Sequence, residues 1–169
     1  MLILCSRAQA RFAEPGFRLE RRAPAPMVWD EHGGMFILRV DDLEVAEVSH
    51  PEPGSGFRLQ IPLTPENLSR DLEEFAAQHR LSLAPPSTPE LAESAVLAAC
   101  HLPGPNLFIF AEEPDLVAQR RGDTLEITVT GAFKARRVPC RDTDLVIHLS
   151  REAMARLIAL VLSLARAGL

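Results

Sequence analysis

The sequence predicts an α+β fold in which two pseudo-repeated halves, each made of antiparallel β-hairpins or strands that end in a helix, pack as one core. Three observations predict it: a strand-to-helix pattern that occurs twice, alternating apolar runs upstream of each copy, and a proline-rich break between them. The 169 residues are 47% hydrophobic and 24% charged, close to globular averages. A chain of this size buries roughly two thirds of its unfolded surface. One domain over 1–169 is expected, with halves at about 35–83 and 106–167.

In the first half, Met35 to Val40 and Leu43 to Val48 flank Asp41-Asp42 as a hairpin candidate, with Phe36, Leu38 and Val40 alternating inward. The repeated pattern follows. Leu59-Gln60-Ile61-Pro62-Leu63-Thr64-Pro65-Glu66-Asn67-Leu68 aligns without gaps on Leu145-Val146-Ile147-His148-Leu149-Ser150-Arg151-Glu152-Ala153-Met154, and the match continues through Arg70 on Arg156 and Leu72 on Ile158. Three alternate aliphatics turn one strand face to the core. Thr64 or Ser150 then offers a hydroxyl to the first helical turn, with Pro65 suited to the first helical position. Glu66 to Arg70 and Glu152 to Arg156 are i, i+4 pairs in the favourable order. Duplication and convergence both account for such a pattern.

Ala84-Pro85-Pro86-Ser87-Thr88-Pro89 is the rigid break, and a helix is expected from about Pro89 to Cys100 or His101, because Thr88-Pro89-Glu90 repeats the cap chemistry of Thr64-Pro65-Glu66. In the second half, Asn106 to Ala111 reads as a strand. Leu116 to Arg120, Gly122-Asp123 and Leu125 to Thr130 read as a hairpin with Leu125, Ile127 and Val129 inward. The final helix, about Arg151 to Ala167, carries an apolar arc wider than a surface helix needs.

Composition narrows the function. Cys5, Cys100 and Cys140 are an odd set without close spacing, which fits a reducing compartment rather than a disulfide framework. No signal peptide or membrane segment is indicated: the one candidate membrane segment, Leu157 to Ala165, is far short of the ~20 residues a span needs. A cytoplasmic protein is expected. Net charge is −5 and aromatic residues are 5% with no tyrosine, so neither phosphate attraction nor a base-stacking platform is supported. Neither nucleic acid nor membrane is expected as a partner.

The chain carries no G-x-x-x-x-G-K-[ST], G-x-G-x-x-G or G-x-S-x-G pattern, and His32, His50, His79, His101 and His148 are scattered, without metal-ligand spacing. No cofactor or metal is expected, and no catalytic residue is assigned. Asp30-Glu31-His32, beside Trp29, is the best candidate for an orienting carboxylate, an imidazole and a pocket wall. Arg18, Arg21 and Arg22, with Lys134, Arg136 and Arg137, read as solvated edge-strand charges.

Charge distribution is more informative than any motif. From Asp30 to Glu52 seven acids, Asp30, Glu31, Asp41, Asp42, Glu44, Glu47 and Glu52, face the single base Arg39. Such a surface could steer a basic protein partner. The plan of the chain, with Leu63-Thr64-Pro65-Glu66-Asn67-Leu68 leading to Leu72-Glu73-Glu74-Phe75, then Leu125 to Val129 and Leu145 to Ile158, resembles small bacterial immunity proteins of contact toxins, the WapA-type family, over residues 35–167. That resemblance implies a noncatalytic protein-binding protein, an immunity- or antitoxin-like inhibitor. Two other readings stay open. One is a small-molecule binder or enzyme with its site near Trp29, Asp30 and His32. The other is an oligomeric adaptor subunit that buries the Leu157 to Leu164 face against a partner.

Overall fold

The computed structural model describes residues 1–13, 16–21, 24–47 and 55–167. Arg22, Val48, His50 and Glu52, which enter the expectations above, lie outside the described residues. The α+β class is overturned: about half of the described residues are strand and under a fifth helix, and the strands form a curled antiparallel half-barrel. In chain order the elements are β1 (Leu2–Arg11), β2 (Phe17–Glu20), β3 (Ala25–His32), β4 (Met35–Asp41), β5 (Glu44–Glu47), β6 (Gly56–Pro62) and α1 (Leu68–Gln78). Then come β7 (Glu90–Ser94), β8 (Leu97–Leu102), β9 (Leu107–Glu112), β10 (Asp115–Arg121), β11 (Thr124–Thr130), β12 (Lys134–Arg137), β13 (Asp144–Leu149) and α2 (Arg151–Arg166).

The sheet divides into two wings that share β1. One wing runs β12-β9-β8-β13-β4-β3 and ends on the first half of β1, Leu2 to Ser6. The other runs β5-β2, then the second half of β1, Arg7 to Arg11, then β6-β11-β10-β7. Replacing β1 by β7–β8, β2 by β9, β3 by β10, β4 by β11, β5 by β12 and β6 by β13 converts one wing's order into the other's. The two halves of the chain therefore share one topology, four strand paths and a helix, and each half's last strand pairs with the third path of the other: β13 with β4, and β6 with β11.

Small residues on the inward face of the central strand paths let the helices approach. Ala8 and Ala10 in β1, and Ala95 and Ala98 along β7–β8, are buried where α1 comes close to β1 and α2 to β7. This is why the helix expected from Pro89 to His101 is absent. Its alanines, helix-favouring in isolation, are spent on a long central strand whose alternate residues Ala98, Cys100 and Leu102 point into the core. Thr88 does not cap anything; its hydroxyl donates to the Glu90 carbonyl at 2.7 Å.

Other expectations are corrected in detail. β4 and β5 are not a hairpin: Asp42, at φ 58, and Leu43 bend one strand path from the first wing into the second, so β4 pairs with β3 and β5 with β2. The actual hairpin is β3–β4, closed by Gly33 and Gly34 at φ 62 and 85. α1 starts at Leu68 rather than at Pro65, and its N-cap Asn67 makes no side-chain cap bond. The Glu66–Arg70 and Glu152–Arg156 pairs do not form; Arg70 meets Asp71 at 3.6 Å, and Arg156 reaches across to Glu93 on β7. α2 does begin as read, with the Ser150 hydroxyl accepting from the Ala153 N–H at 3.1 Å. Its residues Leu157, Ile158, Leu160, Val161, Leu162 and Leu164 are buried within the chain's own core, so an adaptor could not present that face. The β10–β11 hairpin turns at Gly122, φ 61, with Leu125, Ile127 and Val129 buried.

Candidate interaction face

Successive residues of a strand point to opposite sides of the sheet, so the register fixes what each wing shows to solvent. In the first wing the inward set includes Leu38, Val40, Leu145, Ile147, Cys100 and Ile109, all buried. Their neighbours make the outer face. One row crosses the whole wing, pair by pair: Ile3 on Val28, Val28 on Arg39, Arg39 on Val146, Val146 on Ala99, Ala99 on Phe110, and Phe110 on Lys134. A flanking row runs Asp30, Ile37, His148, Leu97 and Glu112. On the other flank lie Asp41, Asp144, His101, Phe108 and Arg136.

The same row can be read in the second wing at topologically equivalent places: Glu90 on Gln119, Gln119 on Glu126, Glu126 on Gln60, and Gln60 on Arg7. Glu90 stands for Ile3, Gln119 for Val28, Gln60 for Val146 and Arg7 for Ala99. Ile3, Val28, Val146 and Ala99 of the first-wing row are thus matched by polar residues in the second. Glu126, 8% exposed, sits between Arg58 at 3.9 Å and Arg121 at 3.7 Å, a set of charges that satisfies itself. Val117, 36% exposed, is the one large apolar side chain among the described outer residues of β10.

The first-wing face has its own chemistry at the β12 end. Phe108 and Phe110 stack with centroids 5.2 Å apart, His101 lies 4.8 Å from Phe108, and the Arg136 guanidinium is 5.4 Å from the Phe110 ring. A guanidinium over an aromatic face is attractive. The His101 Nδ1 and an Asp144 carboxylate oxygen are 2.5 Å apart, which orients the imidazole. Beneath them, on the core side, burial and then the nearby Asp144 and Cys140 push the Cys100 thiol well above its ordinary range. Burial also lowers the His148 pKa from 6.5. β12 is an edge strand whose four residues are all exposed, so Lys134, Arg136 and Arg137 lie on a sheet edge.

The residues singled out from the sequence fall elsewhere or fall apart. Trp29 points inward and is fully buried, whereas Asp30 points outward, so the two cannot line one pocket. Asp30 and His32 do meet, at 3.2 Å, with His32 largely exposed. Glu31 accepts from the Gly34 N–H at 2.7 Å and belongs to the hairpin turn. Asp41 is held by Arg39 at 3.0 Å, the Asp42 carbonyl accepts from Arg21, and Glu44 and Glu47 lie on β5. Asp30 is opposite Ile37, four residues from Asp41, or about 13 Å along the strand. The acids thus form two separate groups, interleaved with arginines. Among the described residues no three His, Cys, Asp or Glu side chains gather as metal ligands. Among the described residues no helix is long and apolar enough to cross a membrane.

No family model, curated protein or solved structure matches the chain. The outer face of the first wing is not legible in the sequence because its rows are assembled across strands, each strand contributing one to three alternate residues.

Proposed function

We propose that the chain is a noncatalytic protein-binding protein, of the kind the likeness to immunity proteins implies, and that it binds through the outer face of the first wing. One observation carries this reading: two wings of identical strand order carry opposite middle rows, Ile3, Val28, Val146 and Ala99 on one, Glu90, Gln119, Gln60 and Arg7 at the matching places on the other. The fold makes the same demand of both, and the second wing meets it with polar residues. The apolar choice in the first wing therefore answers to something outside the fold. An apolar row, crossed here by Arg39 between Val28 and Val146, with a polar rim is a usual composition of a protein interface. Asp30, Asp41, Glu112 and Arg136 supply that rim, and set the partner's orientation rather than most of its affinity.

The test is photo-crosslinking in the source cells with p-benzoylphenylalanine at position 146 or at position 60. Position 146 is expected to give a discrete protein adduct and position 60 none. Equal adducts from both, or none from either, would overturn the reading.

A further inference from the structure

We propose that the edge of β1 from Leu2 to Ser6 takes up an extended, basic segment of a partner protein as an added strand. The proposal rests on the reading of the chain as a protein binder and adds a backbone contact that adjoins the outer face, since Ile3 ends that face's middle row.

From Arg7 onward β6 pairs with β1, but over Leu2 to Ser6 β1 pairs with β3 alone. β6 leaves it because the next bonded place, opposite Cys5, falls on Pro62, which has no N–H to give. The Leu63 N–H then donates to the Asp123 carbonyl at 2.8 Å, away from β1. The phase of β1 is set further along: the Ala8 carbonyl accepts from the Arg21 N–H and the Phe12 N–H donates to the Phe17 carbonyl, both on the side of β2 and β3. Even-numbered residues thus bond toward β3, which leaves Pro26 at an unbonded place opposite Cys5. The N–H and C=O groups of Ile3 and Cys5 therefore point out from the sheet edge.

Charge guards the other described edges: Lys134, Arg136 and Arg137 on β12, Glu44 on β5, and on β7 Glu90, which stands where β1 has Ile3. Leu2 to Ser6 carries no charge, and Ile3 is 54% exposed. The notch between this edge and the start of α1 holds about 220 Å³, with Leu4, Ile61 and Leu68 among its apolar lining and Asp71 as its one charged residue. A strand laid antiparallel to β1 turns alternate apolar side chains toward Leu4, Ile61 and Leu68. The residues between them bond to Ile3 and Cys5 and carry their side chains outward. Asp71 and the net charge of −5 select a basic segment over an acidic one. Pairing of this kind draws its affinity from main-chain hydrogen bonds, and it is short because β6 occupies the edge from Gln60 on.

The experiment uses the purified chain and a labelled hexapeptide, Lys-Val-Lys-Val-Lys-Val, acetylated and amidated. In the free chain amide exchange should be fast at Ile3 and Cys5 and slow at Leu4 and Ser6, and the peptide should slow the first pair. Its glutamate counterpart, and a version N-methylated at the lysines, should bind about tenfold more weakly, whereas N-methylation at the valines, whose amides face away from β1, should leave binding unchanged. Ile3→Pro removes an N–H that points away from β3, so this variant should keep the native Trp29 fluorescence and lose the peptide. Slow exchange at Ile3 and Cys5 in the free chain, no peptide binding at millimolar concentration, equal binding of the lysine and glutamate peptides, or equal losses from the two methylated peptides would overturn the added strand. If position 146 still gives its photo-adduct in cells, only the added strand falls; peptide pairing without that adduct removes the outer face and leaves the edge.

Discussion

Val146 and Gln60 stand at the same place in two halves of one topology. Each follows the first inward leucine of its half's last strand, and each is flanked by one residue from a strand of its own half and one from the other half: Ala99 and Arg39 for Val146, Arg7 and Glu126 for Gln60. The chain thus contains its own control for what the fold requires of an outer-face residue. The Ser150 and Thr64 pair and the footprinting test below use matched positions for that reason.

Ser150 and Thr64 occupy the same column of the repeated pattern, yet only Ser150 caps a helix. Ser150→Ala is expected to cost about 1 kcal/mol, and Thr64→Ala close to nothing. Urea unfolding of the two variants measures this, and equal losses would mean that α1 begins earlier than Leu68.

Trp29 is the chain's one tryptophan and is fully buried, with its indole N–H unpartnered. Native fluorescence should be blue-shifted and poorly quenched by iodide. Trp29→Ala should cost about 3–5 kcal/mol. A red-shifted, readily quenched native spectrum would instead place the ring in an open pocket, as a site built with Asp30 and His32 needs.

Burial holds the His148 imidazole below its ordinary 6.5. As pH falls through 6.5 the unfolded chain takes up this proton before the folded one, so the group subtracts stability from there down to its lower folded pKa and no further. His148→Gln should remove that part of the decline. Superimposable stability profiles for the two proteins between neutral and mildly acidic pH would contradict it.

Cys100 is fully buried with its thiol pKa raised, whereas Cys5 is exposed. Thiolates, not thiols, react. Brief alkylation of the native protein followed by mass analysis should modify Cys5 and leave Cys100 untouched until denaturant is added. Early labelling of Cys100 would show that β8 opens far more readily than its pairing implies.

How much of this was legible in the sequence depended on range. The run from Leu145 through the Ser150 cap into α2 was readable because its signals are local, and so were the β10–β11 turn at Gly122 and the inward alternation of Phe36, Leu38 and Val40. β7 and β8 were not. Their alanines and the Thr88-Pro89-Glu90 triplet imitate a capped helix, and only the helices packed above explain why small residues are needed there. β1 hid for the same reason, since Ser6, Ala8 and Ala10 fill inward positions that a lone strand would give to larger side chains. The acidic run misled because a hairpin carries neighbours in sequence to opposite ends of a strand. The apolar stripe joins Ile3 to Phe110 through six strands, and nothing short of the register assembles it.

Covalent footprinting with a diazirine probe, on the protein in its source cells and on the purified chain at high dilution, tests the central claim most directly. Labelling of Val28, Val146, Phe108 and Phe110 should fall in cells, while Gln60, Gln119 and Thr128 on the second wing should label alike in both settings. Equal labelling of the first wing in cells and at dilution would mean that nothing covers it, and the interface would be refuted.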